Sequence, residues 1–166
     1  MAMPNTYEAK LDGKGLKFAV VVSRFNDLIT DHMVKGAVNV LVKHNTSESD
    51  IDIIKVPGSF EIPFVVKIAA KSARYDAIIA IGAIIRGETP HFEHLSSVVM
   101  QHLARIGLEF NTPVVSGVIT TETLEQAIER GGTKAGNRGA EAAISAIEMA
   151  NLNKLLAKKN NPPHHG

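Results

Sequence analysis

Along this chain, short continuous apolar runs alternate with longer stretches of helical spacing. Residues 17–23, 51–56, 76–85 and 113–119 are strand-length and rich in Val and Ile. A run that is apolar throughout predicts a strand covered on both faces, where polar–apolar alternation would predict one wet face. Between the runs, apolar residues recur at intervals of three and four, as at 29, 33, 37, 40 and 41. That period predicts helices over 28–44, 60–71, 89–110 and 133–158, with a short one after Thr123. The boundaries carry their own signals. Pro63 fits a helix only in its first turn, which puts the second helix start near Ser59 or Phe60. Thr89 has the N-cap chemistry and Pro90 suits the first helical position. Thr123-Leu-Glu-Gln126 has the form of a capping box, and Gly131-Gly132 ends that helix.

Strands alternating with helices, joined by right-handed crossovers, predict an α/β fold. The expected architecture is a three-layer α/β/α sandwich around a four-stranded parallel sheet with flavodoxin-like topology. Residues 1–16, broken by Pro4, Gly13 and Gly15, are expected to be an extended N-terminal arm. Residues 17–158 are expected to form a single domain and residues 159–166 a disordered tail.

Composition narrows the function classes. The 166 residues carry 45% apolar and 21% charged side chains, enough for one well-packed core. A formal net charge of +1 without a Lys/Arg stripe argues against nucleic acid as a partner. The chain has no Cys, which excludes disulfides and thiolate metal sites. No apolar run approaches the roughly 20 residues of a membrane span, so no membrane partner is expected. The start, Met-Ala-Met-Pro-Asn-Thr-Tyr, has neither a leader core nor an Arg-rich transit pattern, which makes the cytoplasm the default location.

The candidate chemistry gathers at the ends of the strands. In open α/β sheets ligands bind beyond the carboxyl ends of the strands. Here those ends are Arg24-Phe25-Asn26, Gly58-Ser59-Phe60-Glu61, Gly87-Glu88-Thr89-Pro90-His91 and the residues from Ser116 to Thr121. His91, in the first turn of a predicted helix, is the general acid/base candidate, because an imidazole titrates near neutrality. From spacing alone it could equally be a solvent-facing helix residue. Phe25 could stack on a planar ring or plug the helix below it. Glu61 could accept from hydroxyls or merely complement a helix dipole. Arg86, Arg130 and Arg138 are the cations that could meet a phosphate. His91 and His94 stand three apart with Glu93 between them, but nothing supplies further ligands, and no metal is expected. The segment 131–139 is Gly-rich yet lacks the Gly-Lys-Ser/Thr ending and does not follow a strand, so a nucleotide P-loop is not expected.

Several of these motifs together resemble the lumazine synthases, which catalyse the penultimate step of riboflavin synthesis. The likeness rests on Arg24-Phe-Asn26, Val56-Pro-Gly-Ser-Phe-Glu-Ile-Pro63, Ile84-Ile-Arg-Gly-Glu-Thr-Pro-His-Phe-Glu93 and the run from Glu125 to Gly139. It extends in order from about Tyr7 to Leu155. The resemblance implies condensation of 5-amino-6-(D-ribitylamino)uracil with 3,4-dihydroxy-2-butanone 4-phosphate, giving 6,7-dimethyl-8-ribityllumazine, phosphate and water. It implies no cofactor and no metal.

Carried over residue by residue, the resemblance makes Phe25 the platform for the pyrimidine. Ser59, Phe60 and Glu61 would bind the ribityl side, and Ala83, Ile84 and Ile85 would offer backbone groups to the pyrimidine edge. Glu88, Thr89, Arg130 and Arg138 would hold the phosphate, Arg138 standing where the family often has Lys. His91 would transfer protons. Ser116 departs from the family, which commonly has Phe there, reaching the pyrimidine from a neighbouring subunit; weaker pyrimidine binding is the expectation. The family builds its sites between subunits of a pentamer, and in many members twelve pentamers close into an icosahedral 60-mer. The alternatives are a non-catalytic lumazine- or flavin-binding relative, a cage without activity, and a flavodoxin-like electron carrier. The last would need a Ser/Thr/Gly-rich phosphate loop where Arg24-Phe-Asn26 stands.

Overall fold

Four parallel strands, β1 (Phe18–Ser23), β2 (Ile51–Val56), β3 (Ala77–Ile85) and β4 (Val114–Thr121), form one sheet in the order β2-β1-β3-β4. The computed structural model describes residues 1–134 and 136–160. Around the sheet stand α1 (Asp27–Lys43), α2 (Ile62–Lys71), α3 (His91–Phe110), α4 (Leu124–Ile128) and α5 (Arg138–Asn160). A 3-10 turn at Ser59–Glu61 leads into α2, and a π turn at Glu129–Thr133 follows α4. Helices α1 and α5 cover one sheet face, α2 and α3 the other, so the expected three-layer α/β/α sandwich with flavodoxin-like strand order is present.

The apolar runs explain the layering. In β1, Phe18, Val20 and Val22 pack under α1 and α5, while Ala19 and Val21 pack under α2 and α3. β3 repeats this, with Ile79 and Ile81 on one side and Ile78 and Ala80 on the other. Each such Val or Ile contributes about 1.5–3 kcal/mol on full burial, which is why the central strands need apolar residues at every position. The edge is different. In β2, Ile53 is 47% exposed, and Asp52 and Lys55 interrupt the run, so complete coverage does not extend to this strand. On the α1/α5 side the helices touch backbone to backbone: a Cβ on Gly139 would overlap the Met33 carbonyl.

The chain turns around at β1. It moves out to β2, then returns to place β3 on the other side of β1. The connections leaving β1 and β3 go to opposite faces, since α1 lies on one and α3 on the other. This opens a crevice at the carboxyl ends of β1 and β3, the switch point where doubly wound sheets bind ligands.

Several boundaries differ from the sequence expectation. The ends of β1, β3 and β4 shift by a residue or two, and α2 begins at Ile62 after a 3-10 turn where Ser59 or Phe60 was expected. Helix α4 ends at Ile128 with a π turn in place of the expected stop at Gly131-Gly132. Three further differences concern the ends of α3 and α5. Helix α3 begins at His91, not at Thr89 or Pro90: Pro90 holds the N-cap position at φ −69°, ψ 1°, and no side chain among the described residues caps it. Helix α5 begins at Arg138, five residues after the expected start, because Gly132 at φ 121° and Gly136 at φ 77° keep the intervening chain out of helix. Asn137 sets the new start by accepting from the Ala140 N–H at 3.1 Å. At the other end, α5 continues to Asn160, so the expected disordered tail does not begin at 159; residues 161–166 lie outside the described residues. The arm has no regular secondary structure, and Asn151 of α5 holds it by donating to the carbonyls of Lys10 and Asp12 at 2.8 and 2.9 Å.

Candidate active site

The loop after β1 is tied down on both sides. The N–H groups of Arg24 and Phe25 donate to the carbonyls of Val56 and Pro57 at 2.8 and 3.2 Å. Asn26 sits in the left-handed region at φ 62°, a conformation Asn tolerates better than most residues, and its side-chain amide donates to the Ala83 carbonyl at 3.0 Å. Three strand ends are thus joined by hydrogen bonds. Phe25 emerges from this anchored loop 71% exposed, which rules out a plug in the core and leaves a ring face free.

The second wall comes from the turn after β2. Ser59 is buried against β3, and the approach depends on Gly82: a Cβ there would lie 2.8 Å from Ser59 Oγ and 3.0 Å from Ile62 Cδ1. With Ser59 seated, Phe60 points outward at 66% exposure and Glu61 is exposed beside it.

The third wall is β3 and the start of α3. Ala83, Ile84 and Ile85 form the floor, and Thr89 and His91 stand above it. Together these walls enclose a cleft of about 640 Å³, lined by Phe25, Ser59, Phe60, Glu61, Ala83, Ile84, Ile85, Thr89 and His91 among the predicted site residues. Its lining is mostly apolar, with a few polar groups converging, as small-molecule sites usually are. Glu88 lies in the exposed loop between β3 and α3 and does not line the cleft.

Arg130, Arg138 and Ser116 stand elsewhere. Arg130 lies in the π turn, with Nη1 3.4 Å from the Thr120 carbonyl, and Arg138 opens α5, paired with Glu141 at 2.9 Å. Both guanidiniums line a second cleft of about 450 Å³ with Met100, Val118, Ile119, Thr120 and Glu141. Ser116 lies beside it, donating to Met100 Sδ at 3.2 Å. Within one chain, therefore, Arg130 and Arg138 do not share a cleft with the expected imidazole. The physical reason is topological: Arg130 and Arg138 follow β4, at the opposite edge of the sheet from β2.

Arg86 lines the first cleft but is already engaged. Its Nη2 donates to Glu93 at 2.9 Å, its Nε meets Glu122, and its guanidinium lies 4.9 Å from the centre of the Phe92 ring. The Glu93 and Glu122 hydrogen bonds hold its pKa above the ordinary Arg value. Residue type alone suggested a phosphate cation here; the carboxylates facing it, seven residues on and on another strand's turn, were not readable as its partners. Phe92, Leu95 and Leu124 also line the cleft, as does Asn26, which the sequence marked only as part of the motif after β1. Leu124, exposed at the first position of a capped helix, was the one with a usable signal.

Residues 15–154 match the family model described as 6,7-dimethyl-8-ribityllumazine synthase. A de novo designed Rossmann fold protein is similar in structure at 12% identity and a TM-score of 0.39, covering 69% of this chain and 92% of its own. Among the described residues, no helix is long and apolar enough to cross a membrane.

Proposed function

Because the chain belongs to the 6,7-dimethyl-8-ribityllumazine synthase family, a family of transferases of riboflavin biosynthesis, we propose that it catalyses the family's condensation itself. In this reading 5-amino-6-(D-ribitylamino)uracil and 3,4-dihydroxy-2-butanone 4-phosphate give 6,7-dimethyl-8-ribityllumazine, phosphate and water. The observation that carries the proposal is the single cleft that gathers Phe25, Glu61 and His91 at the switch point of the sheet.

Both substrates bring their own reactive groups. The 5-amino group adds to the ketone and water leaves, forming an imine. A proton is then lost from the carbon next to it and phosphate departs from the terminal carbon, leaving an enol. The terminal carbon takes up a proton and the hydroxyl loses one, giving a methyl ketone. The ribitylamino nitrogen closes the ring on the resulting ketone, again with loss of water. What such a sequence asks of a protein is positioning and proton transfer, with several kcal/mol available from positioning alone. Phe25 offers a flat face for the pyrimidine. The floor at Ala83, Ile84 and Ile85 presents its edge with backbone groups, and Ser59, Phe60 and Glu61 take the ribityl chain. His91 gives and takes the protons.

The phosphate is assigned to the start of α3 and to the arginines of the second cleft. The first N–H groups of a helix and its dipole favour an anion. The loop of Glu88 and Thr89 supplies backbone N–H groups there, since the Glu88 carboxylate itself would repel phosphate. Arg130 and Arg138 complete the site when a second copy of the chain brings its β4 edge against the first cleft, with Ser116 and Met100 beside them. Separation of the two clefts within one chain supports a site shared between subunits of a pentamer, whether or not pentamers assemble further. No cofactor or metal takes part, and the cytoplasm is the location that suits this chemistry.

The test is to mix both substrates with the purified protein and follow lumazine absorbance together with phosphate release. Stoichiometric appearance of both is the expected result. Binding of the pyrimidine without any product would establish instead a non-catalytic relative.

A further inference from the structure

We infer that Arg86 is a positioning residue: it holds the loop that carries Thr89 and His91 against the turn entering α4, and it is not a ligand of the substrate phosphate. The inference rests on the reading of the first cleft as the condensation site.

Arg86 is the first residue after β3 and is fastened by both backbone and side chain. Its N–H donates to the Thr121 carbonyl at 2.9 Å, continuing the β3–β4 pairing one step past the strand end. Its guanidinium then reaches in two directions. Nη2 meets Glu93, in the first turn of α3, and Nε meets Glu122, in the turn between β4 and α4. The face of the group lies over Phe92, the buried residue that anchors the start of α3 in the core. The planar fork of Arg suits a bridge of this kind, which a Lys ammonium cannot make in the same geometry.

This arrangement spans the loop 87–90. One end of the loop is fixed at Arg86 and the other at Phe92 and Glu93, and His91 lies between the two anchors. The turn at the far side of the bridge is itself organised: the Glu122 N–H donates to Gln126 Oε1 at 2.9 Å, and Thr123 Oγ1 accepts from the Gln126 N–H at 3.2 Å. The placement of His91 over the cleft is thus referred to β4 and α4 as well as to β3.

The same geometry opposes a phosphate at Arg86. Two carboxylates surround one guanidinium, so an approaching phosphate dianion meets a cluster of net negative charge. The ion pairs are exposed, and exposed pairs add little to stability. Loss of the bridge should therefore show in turnover and loop order while the fold persists.

Charge-removing substitutions separate the two roles, because they predict opposite signs. In Glu122→Gln and Glu93→Gln, a positioning role predicts a fall in kcat of roughly tenfold, with KM for the phosphate-bearing substrate nearly unchanged. A phosphate-ligand role predicts that freeing the guanidinium lowers that KM and tightens competitive inhibition by inorganic phosphate; this result would overturn the inference. Arg86→Ala should lower kcat at least as far, and adding Glu122→Gln to it should cost little more, since one bridge is already gone. Arg86→Lys should fall between Arg86→Ala and the unsubstituted protein. Amide hydrogen exchange of the ligand-free protein gives a readout independent of activity. In Arg86→Ala, exchange should quicken by roughly tenfold over residues 87–93 while β1 and β3 stay protected. Unchanged exchange in that segment refutes the positioning role even if the protein proves inactive, whereas inactivity of the unsubstituted protein with quickened exchange in the variant refutes only the proposed reaction.

Discussion

In the proposed reaction His91 is the residue that moves the protons. It stands at the first position of α3, exposed to the cleft that Phe25, Ser59 and Glu61 also line. His91→Ala should lower kcat by about 10²–10⁴-fold and leave residual turnover, because positioning of two self-reactive substrates survives the loss of the imidazole. Steady-state lumazine formation checks this, and wild-type kcat in the variant would remove His91 from the mechanism. Ser116 carries the second prediction at this scale. Its hydroxyl is spent on Met100 Sδ and the Val118 N–H, and it offers no ring to a pyrimidine. Ser116→Phe should lower KM for the pyrimidine substrate severalfold, since an aromatic stack adds about 0.5–1.5 kcal/mol; an unchanged KM would contradict the placement of Ser116 at the site. Residue identity marked His91, Phe25 and Glu61 only as candidates, each with an equally ready structural reading. The resemblance to the lumazine synthases gave them roles, and the fold brings all three to one cleft. Arg86 was legible as a cation only. Its partners Glu93 and Glu122 are brought to it by the pairing of β3 with β4, which no local pattern reports.

At the scale of elements, continuous apolar runs located β1, β3 and β4 to within a residue or two at their ends, while β2 matches the expected span although Asp52 and Lys55 interrupt its run. Burial on both faces produces such runs, so the signal and its cause are the same thing. Helix starts were harder where two cap chemistries competed. Thr89-Pro90 had the right residue types, but Pro90 takes ψ 1° and the helix begins one residue later. In the segment after α4, Thr133 read as the beginning of the last helix, while Gly132 and Gly136, both at positive φ, hold the chain off until Asn137 can cap. The distinction lies in backbone angles that Gly permits without advertising. Asn137 also donates its amide to the His32 carbonyl on α1 at 2.9 Å, so one side chain starts α5 and fixes it to α1. Asn137→Ala should destabilise the protein by about 1–2 kcal/mol, most of it from the lost cap. Thermal unfolding measures this, and an unchanged Tm would show that water replaces the cap at no cost. Because Arg138 is the first residue of α5, the same substitution should also weaken phosphate binding.

For the whole molecule, the account depends on two clefts becoming one site. Phe25 and His91 line the first, Arg130 and Arg138 the second, and strand order keeps them apart within a chain. Family membership brings oligomerisation with it in general, and exposed apolar side chains such as Phe60 at the cleft mouth and Phe64 and Ile68 on α2 are surfaces an assembled form would cover. The sequence carried the residues of both clefts, and the resemblance implied a site between subunits; that the two clefts stand apart within one chain is set by topology. Complementation tests the union directly. His91→Ala and Arg130→Ala, each strongly impaired alone, are co-expressed so that mixed assemblies form. If each site draws its imidazole from one copy and its guanidinium from the next, random mixing leaves about a quarter of the sites intact, and lumazine formation should return to about a quarter of the unsubstituted rate. Mixed assemblies no more active than the two variants alone would contradict a site shared between copies.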